Sequence, residues 1–206
     1  MKRRSSTQRQ SRLLRHEKRL SRSGYRSIAG IDEAGRGPLA GPVVAGAVIL
    51  KKLRFSARID DSKKLSPSQC ETAYREIVDN AVVGIGIVGE SVIDSINIYQ
   101  ATLQAMRQAI RGLSVPPDFI IVDGNMPLDA DCPVQEIVGG DAQSISIAAA
   151  SIVAKVTRDR IMQEYDKAYP GYGFARHKGY STSYHRKAIK AHGRCPIHRS
   201  SFSASI

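Results

Sequence analysis

Apolar positions along the 206-residue chain fall into two patterns, short β-like runs and longer stretches with helical spacing. Ile28 and Ile31, separated by small residues, predict a buried strand that ends in the adjacent carboxylates Asp32 and Glu33. Val43–Leu50, β-branched and small, predicts a second strand, with a glycine-rich turn between the two. Ala81–Gly89 predicts a third, in which Gly84 and Gly86 imply a close neighbour on one face. These three read as an antiparallel meander. Phe119–Gly124 predicts a fully apolar strand ending in Asp123 and Gly124, and Val134–Val138 predicts another. Ser66 followed by Pro67 is an N-cap and first helical residue, so a helix is expected from Pro67 to about Asn80. Ser91-Val-Ile-Asp94 has the capping-box form and opens a stretch to about Gly112, with Ile93, Ile96, Tyr99, Leu103, Met106 and Ile110 on one face. A third helix is expected from Ser144 to about Ala168, beginning with side chains small enough to pack closely on a sheet, and a basic one from Thr182 to His192. Alternating strands and helices predict an α/β fold in which parallel strands present their carboxyl ends on one edge, where sites are built.

Candidate chemistry collects at those ends. An isolated Asp-Glu pair is most often a solvent-edge feature. Here Gly35-Arg36-Gly37 follows directly, supplying backbone that can approach a ligand without a Cβ and one guanidinium beside the carboxylates. Two adjacent carboxylates at a buried strand end need positive charge to offset repulsion and desolvation, and a divalent metal would supply it. Asp123 ends a strand that can lie beside the first, and Asp141 sits just ahead of a helix, where the helix dipole favours an anion. Asp159, flanked by Arg158 and Arg160, lies well inside the helix and reads as a surface ion-pair residue. Lys63 and Lys64 are either a phosphate contact or surface charge.

Charge points to a partner class only through its distribution. The net charge is +12. Residues 1–27 hold ten Lys/Arg against Glu17 alone, residues 28–154 are net acidic, and Gly171 to Arg199 contains no acid at all. An acidic centre between two basic ends suits a carboxylate metal site served by surfaces that grip a polyanion, nucleic acid foremost. Residues 1–27 are expected to form a basic, disordered arm outside the fold, although an organellar transit segment fits the same composition. Cys70, Cys132 and Cys195 are widely spaced and form no CxxC pair, which argues against a disulfide framework or zinc site. No apolar run has the length of a membrane span, so a soluble, cytoplasmic protein is expected.

The chain resembles the ribonuclease HII family. The residues that carry the resemblance are Asp32-Glu-Ala-Gly-Arg-Gly-Pro-Leu-Ala-Gly-Pro42, Asp61-Ser-Lys-Lys-Leu-Ser66, Val122-Asp-Gly124, Gly140-Asp-Ala142, Ser146-Ile-Ala-Ala-Ala-Ser-Ile152, Ala154-Lys-Val-Thr-Arg-Asp159, His177-Lys-Gly-Tyr180 and Cys195-Pro-Ile-His-Arg199. They run in the family's order across roughly residues 25–202. The resemblance implies a ribonuclease H-like fold, with a mixed central sheet, flanking helices and a small helical C-terminal part from about residue 171. It implies a monomeric catalytic domain over 28–202 that cleaves the RNA strand of RNA/DNA hybrids. It also implies incision 5′ of ribonucleotides embedded in duplex DNA, leaving 5′-phosphate and 3′-hydroxyl ends. The family's metal ligands fall on Asp32, Glu33 and Asp123, with Asp141 as a fourth catalytic carboxylate and Asp159 outside the set. Mg²⁺ or Mn²⁺ is the implied cofactor, matched to hard oxygen ligands, one ion activating water and one stabilising the leaving oxygen. Gly35, Arg36, Gly37 and Tyr180 are the implied ribonucleotide-reading residues, with Lys63 a further substrate contact. Gly140 stands where the family commonly has lysine and Ser181 where it has glycine. Three alternatives differ in class. A Rossmann-type binder is disfavoured by GxGxxxG spacing, by Pro38 and by a following strand. A silent nucleic-acid-binding module has no need of four carboxylates, and a ribonuclease HIII-like hybrid nuclease usually carries an extra N-terminal domain.

Overall fold

The computed structural model describes residues 12–203. One mixed sheet contains β1 (Ile28–Ala34), β2 (Val43–Leu50), β3 (Ala81–Val88), β4 (Phe119–Asp123) and β5 (Val134–Ile137), in the spatial order β3-β2-β1-β4-β5. The first three form the expected antiparallel meander. β4 and β5 add in parallel on the other side of β1, with Ile31 paired to Val122 so that Asp32 and Asp123 follow in step. The helices are α1 (Arg15–Arg22), α2 (Pro67–Asn80), α3 (Glu90–Arg111), α4 (Ile145–Ala168), α5 (Phe174–His177) and α6 (Ser183–His192), with 3₁₀ turns at Ser62–Lys64 and Gly140–Ala142.

Strand alternation divides the core into two layers. Ala29, Ile31, Ala45, Ala47, Ile120 and Val122 pack with Ala101, Ala105 and Met106 of α3 on one face. On the other face Val48 joins Ile77 of α2 and Ala148, Ala149 and Ile152 of α4. The first half of α4 is buried, and its small side chains let the backbone close on the sheet. A Cβ at Gly30 would sit 2.2 Å from the Ser146 carbonyl carbon, and one at Gly46 would sit 2.7 Å from the Ala150 oxygen. These two glycines set how deeply α4 seats behind Asp32.

Helix starts follow the sequence in three cases, Thr182 capping α6 among them, and depart from it in one. Ser66 and Gln69 form a capping box with Pro67 at the first helical position, and Ser144 caps α4. The box expected at Ser91–Asp94 does not form, because α3 starts two residues earlier, with Gly89 in place of Ser91 as N-cap. Asp94 is instead drawn to the C-terminal segment, where it accepts from the amide and hydroxyl of Ser200 and of Ser201 at 2.5–2.9 Å. Burial raises its pKa, but those hydrogen bonds outweigh it and hold the carboxyl down at about 2. α3 is broken at Asn97 (φ 66°), whose Oδ1 accepts from the amides of Tyr99 and Gln100 and restarts the helix.

The expectation that residues 1–27 lie outside the fold fails for its second half. α1 lies within that stretch, and Leu13, Leu14, His16, Glu17 and Leu20 are buried against the α4 face of the sheet. Three leucines at positions 13, 14 and 20, with Glu17 between them, form an inward stripe that the surrounding arginines obscure. Residues 1–11 lie outside the described residues. All three cysteines are free, as expected.

Gly30→Ala should lower unfolding stability by about 3 kcal/mol, because the methyl meets backbone that cannot step aside. Gly89→Ala, with no atom within 4 Å of its new methyl, should cost about 1 kcal/mol or less, as expected at an N-cap. Urea denaturation of the two variants measures the contrast.

Candidate active site

Asp32 and Asp123 leave the carboxyl ends of adjacent parallel strands on the α4 face, and the 3₁₀ turn ahead of α4 brings Asp141 to meet them. One carboxylate oxygen from each lies within 4.8 Å of the others. Asp32 and Asp141 are buried. Burial, then Glu33 and Asp123, push the Asp32 carboxyl well above its ordinary range, despite the Glu33 amide donating to it at 2.7 Å and a hydrogen bond from Ser151. Asp141 is raised by burial and by Asp123 and Asp61. The cluster is thus short of positive charge, with oxygen donors converging on one point, and this donor set fits a hard divalent cation. Among the described residues the cation paired with it is Lys63, 3.8 Å from Asp141. Burial lowers the Lys63 pKa, but Asp141 and Asp32 more than reverse it, so the ammonium is held by the cluster.

Glu33 is placed differently. Its carboxylate pairs with Arg36 at 3.2 Å and stays outside the three-carboxylate group, although burial still raises its pKa. Asp159 pairs with Lys155 at 3.0 Å, as a surface ion-pair residue should.

Beside the cluster opens a cleft of about 440 Å³ that Glu33, Gly35, Arg36, Gly37, Lys63, Lys155, Arg158, Lys178 and Tyr180 line. Gly35 has φ +96°, and a Cβ there would sit 2.1 Å from Arg158 Nε. Tyr180 is 50 % exposed, and it lies with its edge 3.7 Å from the position a Gly37 Cβ would take.

Two residues that sequence reasoning left without a role build this turn. Arg199 is fully buried and donates to the carbonyls of Gly35 (2.6 Å), Arg36 (3.0 Å) and Gly41 (2.6 and 2.9 Å). Arg158 donates to the carbonyls of Pro42 (3.0 Å), Ala40 (3.1 Å) and Lys178 (2.9 Å), with its guanidinium 5.9 Å from the Tyr180 ring centre. Burial and the neighbouring Arg158 pull Arg199 down to about 10, which leaves it charged at neutral pH. The signal available in sequence was the position of both arginines inside family-like motifs.

The Tyr180 loop is held from below by histidines. His177 Nε2 donates to the Tyr172 carbonyl and its Nδ1 accepts from the Gly179 amide. His185 Nδ1 donates to the Tyr180 carbonyl, so its Nε2 accepts from His198 Nε2 at 3.0 Å, and His198 Nδ1 accepts from the Cys195 amide. Every ring is used in its neutral form. Burial lowers the pKa of all three, His185 to about 4.

A mixed sheet whose strand ends gather carboxylates beside a glycine turn and a basic cleft defines a ribonuclease H-like nuclease. A model of the family Ribonuclease HII matches residues 29–205, and the chain belongs to that family. It is 57 % identical over 187 residues to the ribonuclease HII of Geobacter sulfurreducens, covering 90 % of this chain and 86 % of that protein. It is 54 % identical over 197 residues to that of Geobacillus kaustophilus, covering 95 % and 75 %. Among solved structures, the ribonuclease H2 of Pyrococcus horikoshii superposes with a TM-score of 0.74 at 27 % identity, over 87 % of this chain and 95 % of that one. Ribonuclease HII of Archaeoglobus fulgidus, solved in complex with PCNA, gives 0.73 at 26 %, over 86 % and 96 %. The protein is a ribonuclease H enzyme of a metal-dependent family that acts on RNA/DNA hybrids.

His185 has a folded pKa of about 4 against 6.5 for an ordinary histidine. The unfolded chain therefore binds the proton first as pH falls, and the stability of the neutral network, complete above pH 6.5, drains away toward pH 4. Relative to His185→Gln, the wild type should lose roughly 2 kcal/mol between pH 7 and pH 4.5. Thermal melts of both proteins across that range measure the loss, and above pH 7 the gap between them should no longer change with pH.

Proposed function

We propose that this protein incises duplex DNA 5′ of embedded ribonucleotides in addition to cleaving the RNA strand of hybrids, leaving 5′-phosphate and 3′-hydroxyl ends. The observation that carries the reading is the inward anchoring of the Gly35–Gly37 turn. All peptide bonds among the described residues are trans, and in a trans peptide the carbonyl and the following amide point in opposite directions. With the carbonyls of Gly35 and Arg36 drawn to Arg199, the amides of Arg36 and Gly37 point away from it, on the exposed side of the turn. Fixed donors beside the carboxylates are what reading a single 2′-hydroxyl requires.

Asp32, Glu33 and Asp123 would hold a divalent cation, Mg²⁺ or Mn²⁺, with Asp141 completing the set. The cation supplies charge neutralisation at the scissile phosphate and a water activated for in-line attack. The side chains do the rest. Burial of Asp32 and Asp141 keeps bulk water from screening the site, and Lys63 stands at its rim to meet a phosphate. Arg36 and Lys155 line the cleft where a backbone would run, while Tyr180 offers its ring to the sugar beyond the ribonucleotide. The ribonuclease HIII-like alternative keeps the metal chemistry and lacks single-ribonucleotide incision.

The decisive assay uses duplex DNA with one internal ribonucleotide beside a uniform RNA/DNA hybrid, each with Mg²⁺ or Mn²⁺. Incision should fall 5′ of the ribonucleotide, and Asp123→Asn should reduce both activities by about a thousandfold or more, as expected for loss of a cation ligand. Tyr180→Ala should cut incision at the single ribonucleotide by roughly tenfold while sparing hybrid cleavage more. Cleavage of the hybrid alone by the wild type would overturn the single-ribonucleotide reading.

A further inference from the structure

Glu17 is the one acidic residue in the basic N-terminal stretch, and α1 carries it into the protein. Its side chain is only 3 % exposed, and a leucine at the same place would suit the stripe of Leu13, Leu14 and Leu20 better. What the carboxylate does there is specific. Oε1 accepts from Ser144 Oγ at 2.5 Å and from the Ser146 amide at 3.0 Å. Ser144 Oγ in turn accepts from the Ile147 amide at 3.1 Å as the N-cap of α4. One buried carboxyl group therefore finishes the amino end of the helix that carries the catalytic turn, where amides lack partners.

The chain of contacts continues to the site. The amides of Gln143 and Ser144 both donate to the Gly140 carbonyl at 2.8 Å, closing the turn that contains Asp141. The Gly140 amide donates to Asp123 Oδ1 at 2.6 Å. Glu17, Ser144, Gly140 and Asp123 thus form one hydrogen-bonded line, with Asp141 on the turn between them. We propose that Glu17 is a positioning residue for the metal site. Through the two bonds accepted by Oε1 it fixes the height of the α4 terminus, and so the distance at which Asp141 meets Asp32 and Asp123. This rests on the reading above that Asp32, Glu33 and Asp123, with Asp141 completing the set, hold a divalent cation. A group that orients the ligands of a metal without touching it commonly changes metal affinity by about 10- to 100-fold when removed.

The test is Mn²⁺ binding to the full chain, by calorimetry or by loss of the free-ion EPR signal, with kcat and KM on a uniform hybrid measured alongside. Glu17→Ala should weaken Mn²⁺ by about tenfold and lower kcat at subsaturating metal, with KM for the hybrid unchanged. Glu17→Gln keeps an oxygen acceptor for Ser144 and Ser146 and should restore most of the affinity. If Glu17→Ala does not fold, Ser144→Ala carries the test, since it removes one of the two bonds to Oε1 together with the N-cap bond from Ile147 and leaves α1 in place, and it should weaken Mn²⁺ about threefold. Mn²⁺ affinity unchanged in Glu17→Ala, or in Ser144→Ala where that variant must serve, would overturn the proposal and leave Glu17 a staple for α1. So would an affinity in Glu17→Gln as weak as in Glu17→Ala. A wild type that binds no Mn²⁺ would instead bring down the metal-site reading on which the proposal stands.

Discussion

The site depends on two buried guanidiniums bound to carbonyl oxygens. Arg199 and Arg158 between them take the carbonyls of Gly35, Arg36, Ala40, Gly41, Pro42 and Lys178. Without them those oxygens would lose these donors, at about 1–3 kcal/mol for each that is buried. Lysine cannot replace this arrangement, because only the planar fork sends several donors to separated acceptors at once. The two arginines also repel one another, which burial makes worse, and Glu90 nearby offsets part of that cost through its charge. The turn after β1 is therefore tied to the C-terminal segment, and Leu39 and Gly41 complete the seam through backbone bonds to Gly179, Ile197 and Arg199.

Against that fixed turn, the carboxylates are set by how closely α4 approaches the sheet. Gly30 and Gly46 remove the side chains that would hold the helix away, and the alanines of α4 remove those from the other side. Close approach brings Ser151 to Asp32 and the Gly140–Ala142 turn to Asp123. The acidic group then gathers on one face of β1 and β4 while the Gly35–Gly37 turn leaves the end of β1. The proposed metal chemistry and ribose recognition would thus grow from a single strand end.

Much of this was legible in the sequence. Apolar runs ending in Asp32-Glu33 and Asp123, the Ser66-Pro67 start and the small residues after Ser144 each state a local preference that tertiary packing keeps. What escaped had physical reasons. α1 reads as a solvated arm because its buried face is only a few leucines and one carboxylate among arginines, and α1 is stable because of what it covers. Arg158 and Arg199 look like surface charge, since nothing in a linear sequence reveals that their partners are carbonyls, most of them more than a hundred residues away. Ser91 fits a capping box by spacing, yet Asp94 gains more from four donors at Ser200 and Ser201. Glu33 sits beside Asp32 in sequence, but alternation along β1 sends it toward Arg36, and Asp141 takes the place in the close group.

The central claim is that the buried guanidinium network sets ribose recognition separately from metal binding. Arg199→Lys tests it most directly, with incision at a single embedded ribonucleotide and Mn²⁺ affinity measured on the same preparation. The account predicts incision efficiency down by about tenfold or more, from a turn displaced by a fraction of an ångström, with Mn²⁺ affinity held within about twofold of wild type. Unchanged incision, or a loss of Mn²⁺ affinity that accounts for the whole defect, would contradict it.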